Sequence, residues 1–205
     1  MQKIIVDKLV NYIITKRELT IDEIRTIKYG ISNLYLLISK TIVITSIAII
    51  LDIFIPYLVF TIFYNIIRMP SFGLHAKKSY QCWIYSTIIF IGIPHLITII
   101  DINALTKYIL LIFTTIYIAI YSPADTIKRP IISKKRRMIY KLISTLLCLL
   151  YSLICIYTEN KIMENALLFS LILQCIIISP ITYKIFRLPY NNYKNYIRKE
   201  AENVS

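Results

Sequence analysis

Glycine is scarce in this 205-residue chain, at 3 residues, and so is charge, at 17% Asp, Glu, Lys and Arg. An ordinary soluble domain carries about 25% charged residues and needs a largely polar exterior. The shortfall, with 57% hydrophobic residues and a mean hydropathy of +0.64, excludes a small soluble globule. Acidic residues are the rarer sign, 11 against 24 Lys and Arg, leaving a net charge of +13. A basic excess can signal nucleic acid, but these cations fall between apolar blocks and not on one soluble face, so no nucleic-acid partner is expected. The four cysteines form no Cys-x-x-Cys pair, which excludes zinc-finger and redox spacings. There are two histidines, and one His with one Cys is too few for a metal site, which wants three or four ligands. No metal and no cofactor are therefore expected. The N-terminus is charged, but no small-residue cleavage site follows a short apolar core, so it does not read as a signal peptide. No internal repeat and no soluble domain is found.

What the chain does have is long apolar runs, in six blocks near 34–51, 53–67, 82–100, 105–121, 138–158 and 163–182. A helix needs about 20 residues to cross a hydrocarbon core of roughly 30 Å. The third, fifth and sixth blocks meet that length, while the first carries Lys40. The second has 15 residues, about 22 Å at 1.5 Å per residue, and is short enough to be re-entrant. The expected fold is all-α, a polytopic membrane helix bundle of about six transmembrane helices. Most of the cations sit in alternate segments: Lys3, Lys8, Lys16, Arg17, Arg25 and Lys28; then Arg68, Lys77 and Lys78; then Lys128, Arg129 and the run 134–137; then Lys184, Arg187, Lys194, Arg198 and Lys199. Positive residues remain cytoplasmic because their translocation is unfavourable, so both termini and both basic loops are expected there.

The flanking regions divide the chain into 1–33, a cytoplasmic amphipathic region; 34–182, the transmembrane domain; and 183–205, a basic cytoplasmic tail read as mobile. Ile4, Ile5, Lys8, Leu9, Tyr12 and Ile13 recur at helical spacing, and Thr20-Ile21-Asp22-Glu23 is a helix-start signal with acids in the first turn. Two short amphipathic helices on the inner membrane surface are predicted, with a cap packed on the basic loops as the alternative.

Cys148 and Cys155 lie inside the fifth block and Cys175 inside the sixth, where they read as small packing residues. Cys82 opens the third block directly after a basic loop, where a thiol meets water and cations together. Neighbouring positive charge or a helix N-terminus lowers a thiol's pKa, and Lys77 and Lys78 are close in sequence. His75 is seven residues before Cys82; the second histidine, His95, follows Pro94 far along the third block. A thiol nucleophile needs a base within about 2.6–3.2 Å, yet residues seven apart on one helix are about 10 Å apart along its axis. Pro70 and Gly73 suggest that the loop breaks before the helix and returns His75 towards Cys82. On spacing alone, an interfacial histidine beside a packed cysteine is the favoured reading.

The string Arg68-Met-Pro-Ser-Phe-Gly73-Leu-His75-Ala76, followed by Cys82, resembles the accessory gene regulator B family, membrane peptidases that mature quorum-sensing peptides in Gram-positive bacteria. Arg68, Gly73, His75 and Cys82 match that pattern at every offset, whereas Phe72 stands where family members commonly carry a second glycine. Ser122-Pro123-Ala124 with Lys128, Pro130 and a basic run is similar to the family's basic cytoplasmic loop.

The resemblance implies a cysteine endopeptidase of the bacterial cell membrane with His75 and Cys82 catalytic. Its substrate would be a small propeptide with an amphipathic leader, a central signal segment and an acidic tail. Removal of the tail through a Cys82 thioester and ring closure by a peptide side chain would give a thiolactone or lactone. Arg68 reads either as a ligand for substrate carboxylates or an oxyanion, or as a positive-inside anchor; Gly73 reads as a backbone-shape residue. The run 134–137 reads as a topology signal that also attracts an acidic tail. No third, orienting residue is assigned, Asp125 having Lys128 and Arg129 nearer in sequence. The lipid bilayer is the second partner, and a homo-oligomer is compatible with a small polytopic chain. The alternative is a non-catalytic membrane chaperone or exporter of a small peptide; a transporter is disfavoured, since Lys40 and His95 are the few polar candidates at mid-membrane.

Overall fold

The computed structural model describes residues 2–15, 19–74, 79–126, 130–194 and 196. It divides into two units, 1–52 and 53–205. In the first, α1 (Gln2–Ile14) packs on α2 (Ile21–Ile50). Val6 and Val10 are buried, while Ile4, Leu9 and Tyr12 stay exposed, as an amphipathic helix requires. An ion pair of 2.7 Å joins Asp7 to Lys28. Thr20 starts α2 as the sequence predicts: its hydroxyl accepts the Glu23 N–H at 3.4 Å and its own N–H donates to the Glu23 carboxylate at 2.8 Å. The expected second short helix, however, is not separate. α2 runs unbroken for 30 residues, because no proline interrupts it and Gly30 alone costs about 1 kcal/mol, too little to end a long helix.

The second unit holds α3 (Phe54–Ser71), α4 (Ser79–Ile99), α5 (Ala104–Tyr121), α6 (Lys134–Tyr157), α7 (Lys161–Ile178) and the short α8 (Pro180–Ile185). Among the described residues, five helices are long and apolar enough to cross a membrane: α2, α4, α5, α6 and α7. The fold is thus an all-α membrane helix bundle. α3 is not among the five, since Asn65 and Arg68 fall within its 18 residues. It extends past the expected end at 67 and closes only after Pro70. α6 begins at Lys134, so the basic run expected in a loop forms the helix's first turn, behind a Ser133 cap that accepts the Arg136 N–H at 3.4 Å.

α7 is the central element. Eleven of its 18 residues are buried, and it packs against α3, α4, α5 and α6. α3 presents Tyr57, Phe60, Tyr64 and Ile67, a stripe at three- and four-residue spacing, as its buried face. Near the start of α7, the Asn165 amide donates to the Ile97 and Ile100 carbonyls at 3.1 and 2.9 Å, capping the end of α4. There too Lys107 and Glu164, both largely buried, pair at 3.0 Å. Tyr151 of α6 donates to the Phe63 carbonyl of α3 at 3.0 Å.

The stretch from Tyr183 departs from its expected mobility. Tyr183 and Asn192 are buried, and main-chain and side-chain hydrogen bonds hold residues 183–193 against the α5–α6 connection. The polarity that suggested solvent instead supplies donors to a buried acid.

Candidate active site

α3 ends in a tight reversal. The Phe72 N–H donates to the Arg68 carbonyl at 2.9 Å, and Phe72 and Gly73 both have positive φ, 58° and 120°. The reversed chain then meets the α5–α6 connection as a short parallel bridge. Gly73 N–H donates to the Ala124 carbonyl at 2.9 Å, and Ala124 N–H donates to the Ser71 carbonyl at 3.1 Å. α7 supplies two further supports: its Gln174 amide donates to the Phe72 carbonyl at 3.0 Å, and the Ile177 carbonyl accepts the Leu74 N–H at 3.4 Å. Arg68 closes the loop on itself. Its guanidinium donates to the Leu74 carbonyl at 3.1 Å and to the Tyr64 hydroxyl, over whose ring it lies 5.5 Å from the centroid.

Gly73 has no substitute in this geometry. A Cβ there would sit 2.6 Å from Ile177 Cγ2, at a φ that L-residues rarely adopt. Phe72, at φ 58° and ψ −139°, also occupies a region favoured by glycine, and its ring packs edge-on against Tyr140 at 5.0 Å.

Ala124 is held in turn by a buried polar cluster. The Asp125 carboxylate accepts the main-chain N–H groups of Tyr193, Asn192 and Ile131 at 2.8, 2.9 and 3.4 Å. The Tyr183 hydroxyl reaches the Ala124 and Asp125 carbonyls at 3.3 and 3.1 Å. Burial, together with the nearby Asp125 charge, pushes the Tyr183 hydroxyl above its ordinary range. Tyr190 stacks edge-on at 5.1 Å from Tyr183 and is pushed up to about 12, chiefly by burial. Beside the turn, Phe72, Pro130, Ile131, Ile132, Ser133, Arg136 and Tyr140 line an open cleft of about 440 Å³.

Cys82 lies in the first turn of α4 and is exposed, whereas Cys148, Cys155 and Cys175 are buried, so the sorting by position in the apolar blocks holds. His75, with Lys77 and Lys78, lies outside the described residues, as do Lys128 and Arg129. Arg68 takes a role neither sequence reading contained: it braces the carbonyl of Leu74, immediately before His75. Asp125, considered as an orienting acid, has its oxygens engaged by main-chain N–H groups. Sequence reasoning missed Tyr64, Gln174, Ile177, Tyr183 and Asn192. Only Gln174, a lone amide in an apolar stretch, carried a signal.

The accessory gene regulator B family model matches residues 6–178 of the chain. An AgrB-like protein of Listeria monocytogenes serotype 4a (strain HCC23) is 27% identical over 173 residues, covering 83% of this chain and 83% of that one. The accessory gene regulator protein B of Staphylococcus aureus (strain bovine RF122 / ET3-1) is 34% identical over 151 residues, 73% of this chain and 81% of that one. The protein of the same name from S. aureus strain Newman is 32% identical over the same length, 73% of this chain and 80% of that one. No solved structure matches the chain. The match runs through Arg68, Gly73, His75 and Cys82 and through the helices that brace their turn, and the chain belongs to the accessory gene regulator B family.

Proposed function

We propose that this chain is a membrane cysteine endopeptidase that removes the acidic tail of a quorum-sensing propeptide and closes the remaining signal segment into a ring. The observation that carries the reading is Cys82 itself: of four cysteines it is the exposed one, at the head of a helix, seven residues after the histidine of the matching motif. His75 takes the Cys82 proton. The thiolate adds to the carbonyl at the C-terminal end of the signal segment, the C–N bond breaks, and His75 returns the proton to the departing amine. A thioester to Cys82 remains. A thiol or hydroxyl of the bound peptide then adds to that thioester, Cys82 leaves, and a thiolactone or lactone forms. Thioester exchange is close to thermoneutral, so exclusion of water by the membrane-embedded site is what favours ring closure over hydrolysis. The distribution of the cations supports a site at the cytoplasmic face, with both termini on that side.

The decisive experiment is single-turnover cleavage of the cognate propeptide, using the purified chain in liposomes. Wild type should release the acidic tail, while Cys82→Ala and His75→Ala bind the propeptide without cutting it. Cleavage by Cys82→Ala at the wild-type rate would overturn the assignment and leave a peptide-handling membrane protein, chaperone or exporter.

A further inference from the structure

We propose that Gln174 is a positioning residue for this site: its carboxamide clamps the Phe72 carbonyl and so sets the path of the chain into His75. The inference rests on the cysteine-peptidase reading above.

A fully buried glutamine in a membrane-crossing helix is costly unless it is hydrogen-bonded, so the partner it holds says what it is for. The other buried polar side chains of α7 serve helices: Asn165 caps the end of α4, and Ser170 bonds its own helix at the Ala166 carbonyl, 2.6 Å away. Gln174 serves a turn instead, holding the Phe72 carbonyl 102 positions earlier in the chain. Ile177, three residues on and therefore on the same face, takes the Leu74 N–H and walls off Gly73. Together they form a cradle for the turn. Among the described residues, the Gln174 carbonyl oxygen has no hydrogen-bond partner, nor do the buried hydroxyls of Ser71 and Ser122 on the two segments that meet at the bridge. An unpaired buried acceptor is destabilising. Replacing this side chain by methionine, of similar length, would remove that penalty as well as the clamp. Methionine would also leave the Phe72 carbonyl without its donor, which offsets that gain, so what the substitution chiefly changes is the hold on that carbonyl.

The test compares full-length wild type, Gln174→Met, Gln174→Glu and His75→Ala in liposomes by two readouts. One is the iodoacetamide alkylation rate of Cys82 at neutral pH without substrate, selective because the other three cysteines are buried. The other is kcat and KM for propeptide cleavage. Gln174→Met should keep the wild-type melting temperature and a KM within about twofold. Its kcat should fall ~100-fold, as for an ångström-scale misplacement of reacting groups, and alkylation should slow ~10-fold, towards the rate in His75→Ala. Gln174→Glu should recover, relative to wild type at each pH, as pH falls from about 8 to about 6. Only the protonated carboxyl can donate to the Phe72 carbonyl, and burial favours that form.

A Gln174→Met variant with wild-type kcat and alkylation rate overturns the positioning role. If methionine prevents folding, a Gln174→Glu activity ratio that does not change with pH overturns it equally. Should His75→Ala match wild type in both readouts, the peptidase reading itself fails. If His75→Ala slows both while Gln174→Met does not, only the role of Gln174 falls.

Discussion

At Gly73 a single methyl group is enough to test the turn. Gly73→Ala drives a Cβ into Ile177 Cγ2 and fixes an L-residue at φ +120°. Propeptide cleavage should fall about 100-fold, since small misplacements near reacting groups are that costly, while membrane insertion persists. Adding Ile177→Ala removes the clash but not the φ penalty of roughly 1–3 kcal/mol, so rescue measured by cleavage rate should be partial. Complete rescue would show that the backbone conformation is irrelevant. Arg68→Lys gives a second test. A lysine ammonium lacks the planar fork that serves the Leu74 carbonyl and the Tyr64 hydroxyl together. We expect at least a tenfold loss of kcat, against the unchanged rate of a residue that only anchors positive charge at the membrane surface. Residues of this kind were unevenly legible in the sequence. Cys82 stood apart from Cys148, Cys155 and Cys175 because it opened an apolar block while they lay inside one. The hydrogen bonds of Ala124 and Ile177 to the turn come from main-chain groups, which every residue has, so no letter in the sequence marks that role.

Among elements, the C-terminal segment is the one whose behaviour the structure changes most. Asp125 gathers three main-chain N–H groups, two of them from Asn192 and Tyr193. Asp125→Asn keeps one acceptor oxygen and adds a donor with no acceptor to meet. That should weaken docking of residues 183–193 by about 1–3 kcal/mol, read as faster limited proteolysis after α8. Docking should also fade in strong alkali. The Tyr190 hydroxyl is held near 12, above its ordinary value of about 10. A raised tyrosine pKa means the folded state retains the proton more tightly, so its stabilising contribution is complete below about pH 10 and is lost as pH climbs towards 12. Tyrosinate absorbance and proteolysis of the segment should rise together over that window; ionisation without undocking would count against the linkage. The polar letters from Tyr183 onward resembled a solvated tail because composition records hydrogen-bonding capacity and not where the partner sits. The cap at Thr20 was written locally and is where it stands in the folded chain. The continuity of α2 had no comparable signal, being decided by the absence of any strong breaker between the amphipathic stretch and the apolar one.

For the molecule as a whole, the parity of the crossings is set by α3. Five helices qualify as spans on length and hydropathy, and the alternation of cations asks for an even number. Reporter fusions after residue 52 and at each terminus should place both termini in the cytoplasm and residues 51–53 outside, making α3 a sixth crossing. A cytoplasmic location for residues 51–53 would make α3 re-entrant. The apolar blocks made the bundle legible, but the marginal block was the one holding Asn65, exposed and bonded within its own helix, and Arg68, which reaches the turn, and a hydropathy window counts both against a crossing. The distance in sequence between the turn and its supports has a consequence for biosynthesis. Arg68, Gly73, His75 and Cys82 leave the ribosome well before Ala124, and Gln174 and Ile177 emerge later still. Chains grow at about 5–20 residues per second, so the nascent protein carries Cys82 for several seconds before the cradle exists. A chain stopped after α6 would contain every motif residue and still lack the α7 half of the cradle, so on the peptidase reading no substrate can be processed until α7 has been made.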